Sequence, residues 1–417
     1  MGEIRISRHT KLWLLAATGW LAGAGLVITG VTSHLAYPFP IPYNLDLRLI
    51  GALACTGGLL TLALAVWAVQ LIAGHSRIRS FAISVLVLGL QACLLSLAWL
   101  YRDYSIHDEI VPSRGADLAA TLLVPHGPGP HPGVVLVHGT SPDLRRSYIF
   151  YADFFARRGI AVISYDKRGK GASTGELEFA GLSELSADAG ACYARLGAHP
   201  RVDPGRIGFW GYSQGGAVGP LAALDAGNAA FVISLSGPGT TLGEQMMHVH
   251  NKVPATQPAG KLRDRVWQYW HDRQGYPGLY ADLQSARDEA WYSTCGFPPK
   301  LLSPEDELAL SEGLPFRWMG PYMNHDPINI FTQLDCPVAF FFGELDSIVP
   351  VAESLRRINS RLVDTGRDVA VFTYPDANHS LINYTKLDRS WQPVYVDGYL
   401  DDLNAWLNRK VLNHGPG

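Results

Sequence analysis

Ser213 stands in the stretch Gly208-Phe209-Trp210-Gly211-Tyr212-Ser213-Gln214-Gly215-Gly216, a G-x-S-x-G pattern. In a chain with 43 glycines the pattern alone says little. Its surroundings say more: Arg206–Trp210 reads as a strand and Gln214–Ala226 as a helix. A serine on a sharp strand-to-helix turn has a strained backbone and an exposed hydroxyl, and the helix behind it aims N–H groups and a positive dipole end at the site. The flanking glycines leave room for neighbouring elements to approach closely. A serine hydroxyl is a weak nucleophile until a base takes its proton, and the base needs an acid to orient it. For a serine on such a turn, the acid and then the histidine follow in chain order. Asp346, in Gly343-Glu344-Leu345-Asp346, and His379, in Asp376-Ala377-Asn378-His379-Ser380, meet that order. Glu344 is an alternative acid that sits closer to its strand. His325 is an alternative base, but it precedes the acid.

Attack on an acyl carbonyl builds negative charge on its oxygen, which calls for two N–H donors. One is expected from the backbone of Gln214. The other is expected from Thr140, in His138-Gly139-Thr140-Ser141-Pro142 after the apolar strand Gly133–Val137. His138 and Gly139 read as structural, the glycine bringing the loop close and the imidazole tying it down. The expected chemistry is acyl transfer through an acyl-enzyme, and it needs no metal or organic cofactor.

The elements that must hold these residues alternate. Strands are expected at Ala119–Val124, Gly133–Val137, Ile160–Tyr165, Arg206–Trp210, Ala230–Leu235, Pro337–Phe342 and Val369–Tyr374. Helices are expected at Tyr148–Arg158, Leu182–Leu196, Gln214–Ala226, Val351–Val363 and Val396–Val411. The pattern starts at about Ile110 and predicts a mostly parallel, doubly wound α/β sheet whose function gathers at the carboxyl ends of the strands. The stretch Gly237–Leu334 is too long for a structureless loop and carries helical patches and many aromatics, among them Trp267, Tyr269, Trp270, Trp291 and Tyr292. It reads as a helical cap over the site. Most of its aromatics are expected in the cap's own core and some in an apolar substrate pocket.

Five motifs in order, HGTSP, YDKRGKGASTG, GYSQGG, GELDSIVP and DANHS, resemble the α/β-hydrolase superfamily. The resemblance covers roughly Ala119–Leu412. It is nearest the bacterial serine esterases and dienelactone-hydrolase-like proteins, which border the prolyl-oligopeptidase-type and aminopeptidase-type serine peptidases. It implies an α/β-hydrolase fold, a Ser213–Asp346–His379 triad, and oxyanion donors at Thr140 and Gln214. The turn Asp166-Lys167-Arg168-Gly169 also resembles the group and reads as structural, held by its Asp and Arg. Dienelactone hydrolases proper use cysteine where this chain has Ser213, so that activity is not implied.

The first hundred residues differ in kind. Three runs, at about 13–31, 49–72 and 81–100, contain no Asp, Glu, Lys or Arg and approach the length of a bilayer-spanning helix. They predict a three-helix membrane domain over residues 1–104, followed by a catalytic domain over 105–417. Arg5, Arg8, Lys11, Arg77 and Arg79 flank one side of the membrane, and Arg48 and Arg102 the other. Positive-inside counting then puts the catalytic domain outside the cytoplasm.

A net charge of -3 gives no basic footprint for nucleic acid. The 5 cysteines show neither a metal-site nor a disulfide spacing. The expected partners are therefore the membrane and a small acyl ester or peptide substrate, lipid-like ones included. Three functions stay open: a membrane-anchored serine esterase, a serine peptidase, and a non-catalytic scaffold that has kept the fold.

Overall fold

The computed structural model describes residues 103–177, 180–250, 257–272, 274–294, 303–305, 323–387 and 393–412. The chain divides into two compact units, residues 1–106 with 149–151, and residues 107–148 with 152–417. Every residue proposed above for chemistry lies in the second. The three apolar runs expected to span a membrane lie outside the described residues. Among the described residues no helix is long and apolar enough to cross one.

Eight strands form one sheet: β1 (Tyr104–Ser113), β2 (Ala116–Pro125), β3 (His131–Val137), β4 (Ala161–Tyr165), β5 (Val202–Tyr212), β6 (Val232–Leu235), β7 (Val338–Gly343) and β8 (Val369–Tyr374). Their order is β1-β2-β4-β3-β5-β6-β7-β8. β2 runs antiparallel to β4, and the strands from β4 to β8 are mutually parallel. A parallel sheet needs helices on both faces, which is why its central strands are apolar throughout rather than alternating. All six residues of β7 are buried. Phe340 packs 4.7 Å from Phe331 of the helix Pro327–Phe331, while Phe341, facing the other way, meets Tyr399 of the helix Tyr399–Leu407 at 5.5 Å. Burying each such phenylalanine contributes about 1.5–3 kcal/mol of transfer free energy. The helix Leu182–Gly197 buries Leu182, Leu185, Ala189, Cys192 and Leu196, the three-and-four spacing of one apolar face.

At the carboxyl rim the strands are tied by backbone hydrogen bonds of 2.9 Å: Ser213 N–H to Leu235 O, Ser236 N–H to Phe341 O, and Glu344 N–H to Tyr374 O. These bonds link β5 to β6, β6 to β7, and β7 to β8 in turn.

Several elements depart from expectation. The sheet begins earlier than Ile110, with β1 at Tyr104. A short antiparallel pair, β9 (Ile382–Leu387) and β10 (Pro393–Tyr395), lies between His379 and the last helix. The last helix starts at Tyr399 rather than Val396 and passes into a π-helical turn over Asn408–Leu412. Where it is described, the insertion at 237–334 is helical, with helices at Leu242–His250, Pro258–Asp272, Tyr276–Ala286 and Ala290–Thr294. Tyr269 and Tyr292 are buried with Leu262, Leu279 and Leu283 in a small cluster of the insertion's own, and Trp291 packs against it. The final helix of the insertion, Pro327–Phe331, belongs to the main core instead.

Candidate active site

Ser213 is set by the shape of its turn. Its φ is 54°, in the left-handed region that side-chain-bearing residues seldom adopt, and it is 93 % shielded, with 7 % of its surface exposed. The turn closes because its neighbours lack side chains: a Cβ at Gly211 would lie 2.0 Å from Gly215 O, and one at Gly215 would lie 2.3 Å from Val137 O. The helix Gly215–Ala226 starts directly behind the serine.

The structure brings Ser213, His379 and Asp346 into one line. His379 Nε2 is 2.9 Å from Ser213 Oγ, and His379 Nδ1 is 2.6 Å from Asp346 Oδ2. A carboxylate only accepts, so the Nδ1–H donates to Asp346 and Nε2 is left to accept from the serine hydroxyl. Asp346 Oδ1 takes the N–H groups of Ile348 and Val349 at 2.7 and 3.0 Å. Its side chain is fully shielded from solvent, whereas Glu344 is exposed. His325, the other candidate base, gives its backbone carbonyl to Leu242 N–H.

The histidine loop is held by a residue that sequence reasoning passes over. Asn378 Oδ1 accepts the N–H groups of Ser380 and Ile382, each at 2.9 Å, and Leu381 turns through a φ of 55°. Gly343 lets this loop cross the end of β7, since a Cβ there would meet Ala377 O at 2.3 Å. Leu345 N–H then donates to Ala377 O at 2.9 Å, which ties the Asp346 loop to the His379 loop.

The loop after β3 sits against the turn: a Cβ at Gly139 would lie 3.5 Å from Ser213 Cβ. Among the described residues nothing accepts from the Thr140 N–H, and Thr140 is exposed. Gln214 is buried, and its backbone begins the helix. His138 Nε2 donates to Tyr165 O. Burial, and after it the charge of Lys167, pushes this imidazole down to about 3, so it is neutral and serves as a tie.

Of the turn at 166–169, Asp166 and Arg168 do what was expected. Asp166 accepts the N–H groups of Arg145 and Ala172, and Arg168 forms a buried two-pronged pair with Asp188 at 2.7 Å. Lys167 does not stay with its turn. Only 3 % exposed, it reaches Gly139 O at 2.6 Å and Gln214 Oε1 at 3.1 Å. A charged residue in a polar turn gives no local sign of that destination.

A cavity of about 460 Å³ opens beside His379, lined in part by Tyr212, Leu345, Ile348 and Asp376. Leu345 is 60 % and Ile348 37 % exposed, so the acid loop offers two apolar side chains to whatever enters. Among the described residues, none of the insertion lines this cavity.

Residues 128–386 match the family described as serine aminopeptidase, S33. The mitochondrial acyl-coenzyme A thioesterase 2 of Mus musculus is 29 % identical over 159 residues, 37 % of this chain and 32 % of that protein. An uncharacterized peptidase of Bacillus subtilis (strain 168) is 31 % identical over 126 residues, 30 % of this chain and 48 % of that protein. The chain thus spans about a third of the thioesterase and about half of the peptidase. Among solved structures, 2,6-dihydroxy-pseudo-oxynicotine hydrolase aligns over 94 % of this chain and 95 % of its own, with 16 % identity and a TM-score of 0.47.

Proposed function

The chain belongs to the serine aminopeptidase S33 family and is a hydrolase, and from that premise we propose that it cleaves carboxylic esters with Ser213 as nucleophile, His379 as base and Asp346 as orienting acid. The observation that carries the reading is the continuous hydrogen-bonded line from Ser213 Oγ through His379 to Asp346. His379 Nε2 takes the hydroxyl proton as Oγ attacks the acyl carbon. Asp346 keeps Nδ1–H in place and stabilises the imidazolium. The oxyanion lies between the N–H groups of Thr140 and Gln214. The leaving group departs with the proton from His379, and water, activated by the same imidazole, releases the acid. Leu345 and Ile348 favour a substrate with an apolar portion.

The deciding test is labelling by a fluorophosphonate probe. Wild type is expected to react and Ser213→Ala not to; an unlabelled wild type sinks the proposal. The family match also favours a second reading, a serine peptidase. Paired acyl esters and peptide amides separate the two, because amide cleavage at rates comparable to ester cleavage would replace esterase by peptidase. We further propose a membrane anchor at residues 13–100 with the catalytic domain outside the cytoplasm, supported by the three uncharged runs and their flanking basic residues. Reporter fusions after Arg102 that are active only in the cytoplasm would overturn that orientation.

A further inference from the structure

Among the described residues Lys167 is a buried cation spent on neither its own turn nor an ion pair. Its Nζ lies 2.6 Å from Gly139 O and 3.1 Å from Gln214 Oε1, with longer approaches of 3.3 and 3.4 Å to Thr140 O and Ser141 O. The first two acceptors are informative. Gly139 O and the Thr140 N–H belong to one peptide unit. In a trans peptide the carbonyl and the N–H leave from opposite edges of a rigid plane. Drawing Gly139 O to the ammonium therefore fixes the direction in which the Thr140 N–H points. The second acceptor is the side chain of Gln214, whose backbone N–H is the other oxyanion donor. A single ammonium thus holds both residues that supply donors, from a position behind them.

The peptide unit on the other side of Gly139 is also pinned. The Gly139 N–H donates to Tyr148 Oη at 3.1 Å, and Tyr148 Oη donates to Asp143 Oδ2 at 2.7 Å. Gly139 can therefore rotate at neither end while Lys167 is charged. A cation on a peptide carbonyl also draws electron density from the linked N–H, which makes it a stronger donor to a developing oxyanion.

We propose that Lys167 is a positioning residue for catalysis, an ammonium that orients the Thr140 and Gln214 donors together toward the transition-state oxygen. The inference rests on the acyl-transfer reading of Ser213. It adds a residue that never touches substrate, and a dependence on its charge. The titratable groups that act on Nζ are Asp143, from the loop after β3, and His138, from the end of the β3 region, and Asp143 in turn accepts from the Tyr148 hydroxyl. Burial brings the Lys167 ammonium down to about 8, with Asp143 opposing the shift. His138 is pushed to about 3, and the Tyr148 hydroxyl is driven well above its usual range by burial and by Asp143. Of Lys167, His138 and Tyr148, Lys167 alone changes charge just above neutrality.

The test uses the 417-residue chain, kept in detergent, and p-nitrophenyl butyrate. Lys167→Met is expected to lower kcat about 100-fold, the effect of removing one oxyanion donor, with KM changed less than threefold. The wild-type rate is expected to fall as the pH climbs past about 8. Lys167→Arg is expected to recover part of kcat and to move that alkaline limb upward, because a guanidinium stays charged. A kcat for Lys167→Met within threefold of wild type overturns the proposal, as does a loss carried by KM. Should the Met variant not fold, Lys167→Arg decides: an alkaline limb left where wild type has it overturns the role. A wild type that neither hydrolyses the ester nor takes up fluorophosphonate at Ser213 instead refutes the acyl-transfer reading itself.

Discussion

His379 Nδ1 meets Asp346 Oδ2 at 2.6 Å while the second oxygen of the same carboxylate is held by the N–H groups of Ile348 and Val349. The carboxylate is thus fixed before it meets the imidazole, and the Asp346 loop decides which ring nitrogen carries the proton. Asp346→Asn keeps the shape but offers an amide that can turn its NH₂ to the ring and invert the tautomer. The expected result is a fall in kcat of roughly 10⁴-fold with folding intact, as for the equivalent change in a serine–histidine–aspartate triad. Glu344→Gln, at an exposed neighbour, is expected to leave kcat within about twofold. Steady-state kinetics on a soluble ester measures both.

The turn at Ser213 makes a steric prediction. Gly211→Ala would place a methyl group 2.0 Å from Gly215 O, where only backbone could move to make room. Overpacking of this kind costs about 1–3 kcal/mol or more. Chemical denaturation should show the loss, and fluorophosphonate labelling should slow because the displaced backbone carries Ser213.

Arg168 and Asp188 form a pair with 6 % and 1 % of their side-chain surfaces exposed. Arg168→Met leaves Asp188 as an uncompensated buried charge and is expected to cost about 3–5 kcal/mol. The double variant Arg168→Met with Asp188→Leu should recover much of that loss, because the cost comes from the orphaned charge rather than from the absence of the pair. Urea unfolding of the two variants gives the comparison.

His138 predicts an acid limit on stability. The fold keeps its imidazole neutral down to about pH 3, whereas the unfolded chain takes up the proton near 6.5. Its contribution is therefore fully present above pH 6.5 and is lost as the pH falls from there toward 3. The full span is worth on the order of 5 kcal/mol. His138→Gln keeps a donor for Tyr165 O but cannot titrate. The difference in unfolding free energy between wild type and variant should shrink steadily over that range. A difference that does not depend on pH would rule out a buried neutral imidazole.

The central sheet is legible in the sequence because parallel strands buried on both faces, such as Gly133–Val137 and Pro337–Phe342, must be apolar along their whole length. Ser213, Asp346 and His379 are legible because each follows a strand and their order matches the one that the α/β-hydrolase resemblance implies. β1 is not, since Asp108 and Glu109 interrupt it in the middle. Asn378 and Lys167 are harder still. Their roles lie in where polar atoms arrive in space: Lys167 acts 28 residues from Gly139 and 47 from Gln214. A local reading gives a lysine in a glycine-rich turn the solvent as its destination. Of the insertion's aromatics, Tyr269 and Tyr292 lie in its own small core, and among the described residues none lines the cavity beside His379.

The rim bonds from Ser213 to Leu235, from Ser236 to Phe341 and from Glu344 to Tyr374 have a consequence for how such a protein can change. Neighbouring strands in any sheet stand about 4.8 Å apart. Ser213 and Asp346, just past the ends of β5 and β7, are therefore spaced by a fixed number of strand widths, in units that no side chain sets. The span from Ser213 to Asp346 behaves like a marked ruler, and the loops that leave it behave like attachments. Between β6 and β7 the chain carries an insertion that could be lengthened, shortened or exchanged without moving a mark. Selection acting on what the protein hydrolyses is thereby separated from selection acting on whether it hydrolyses at all.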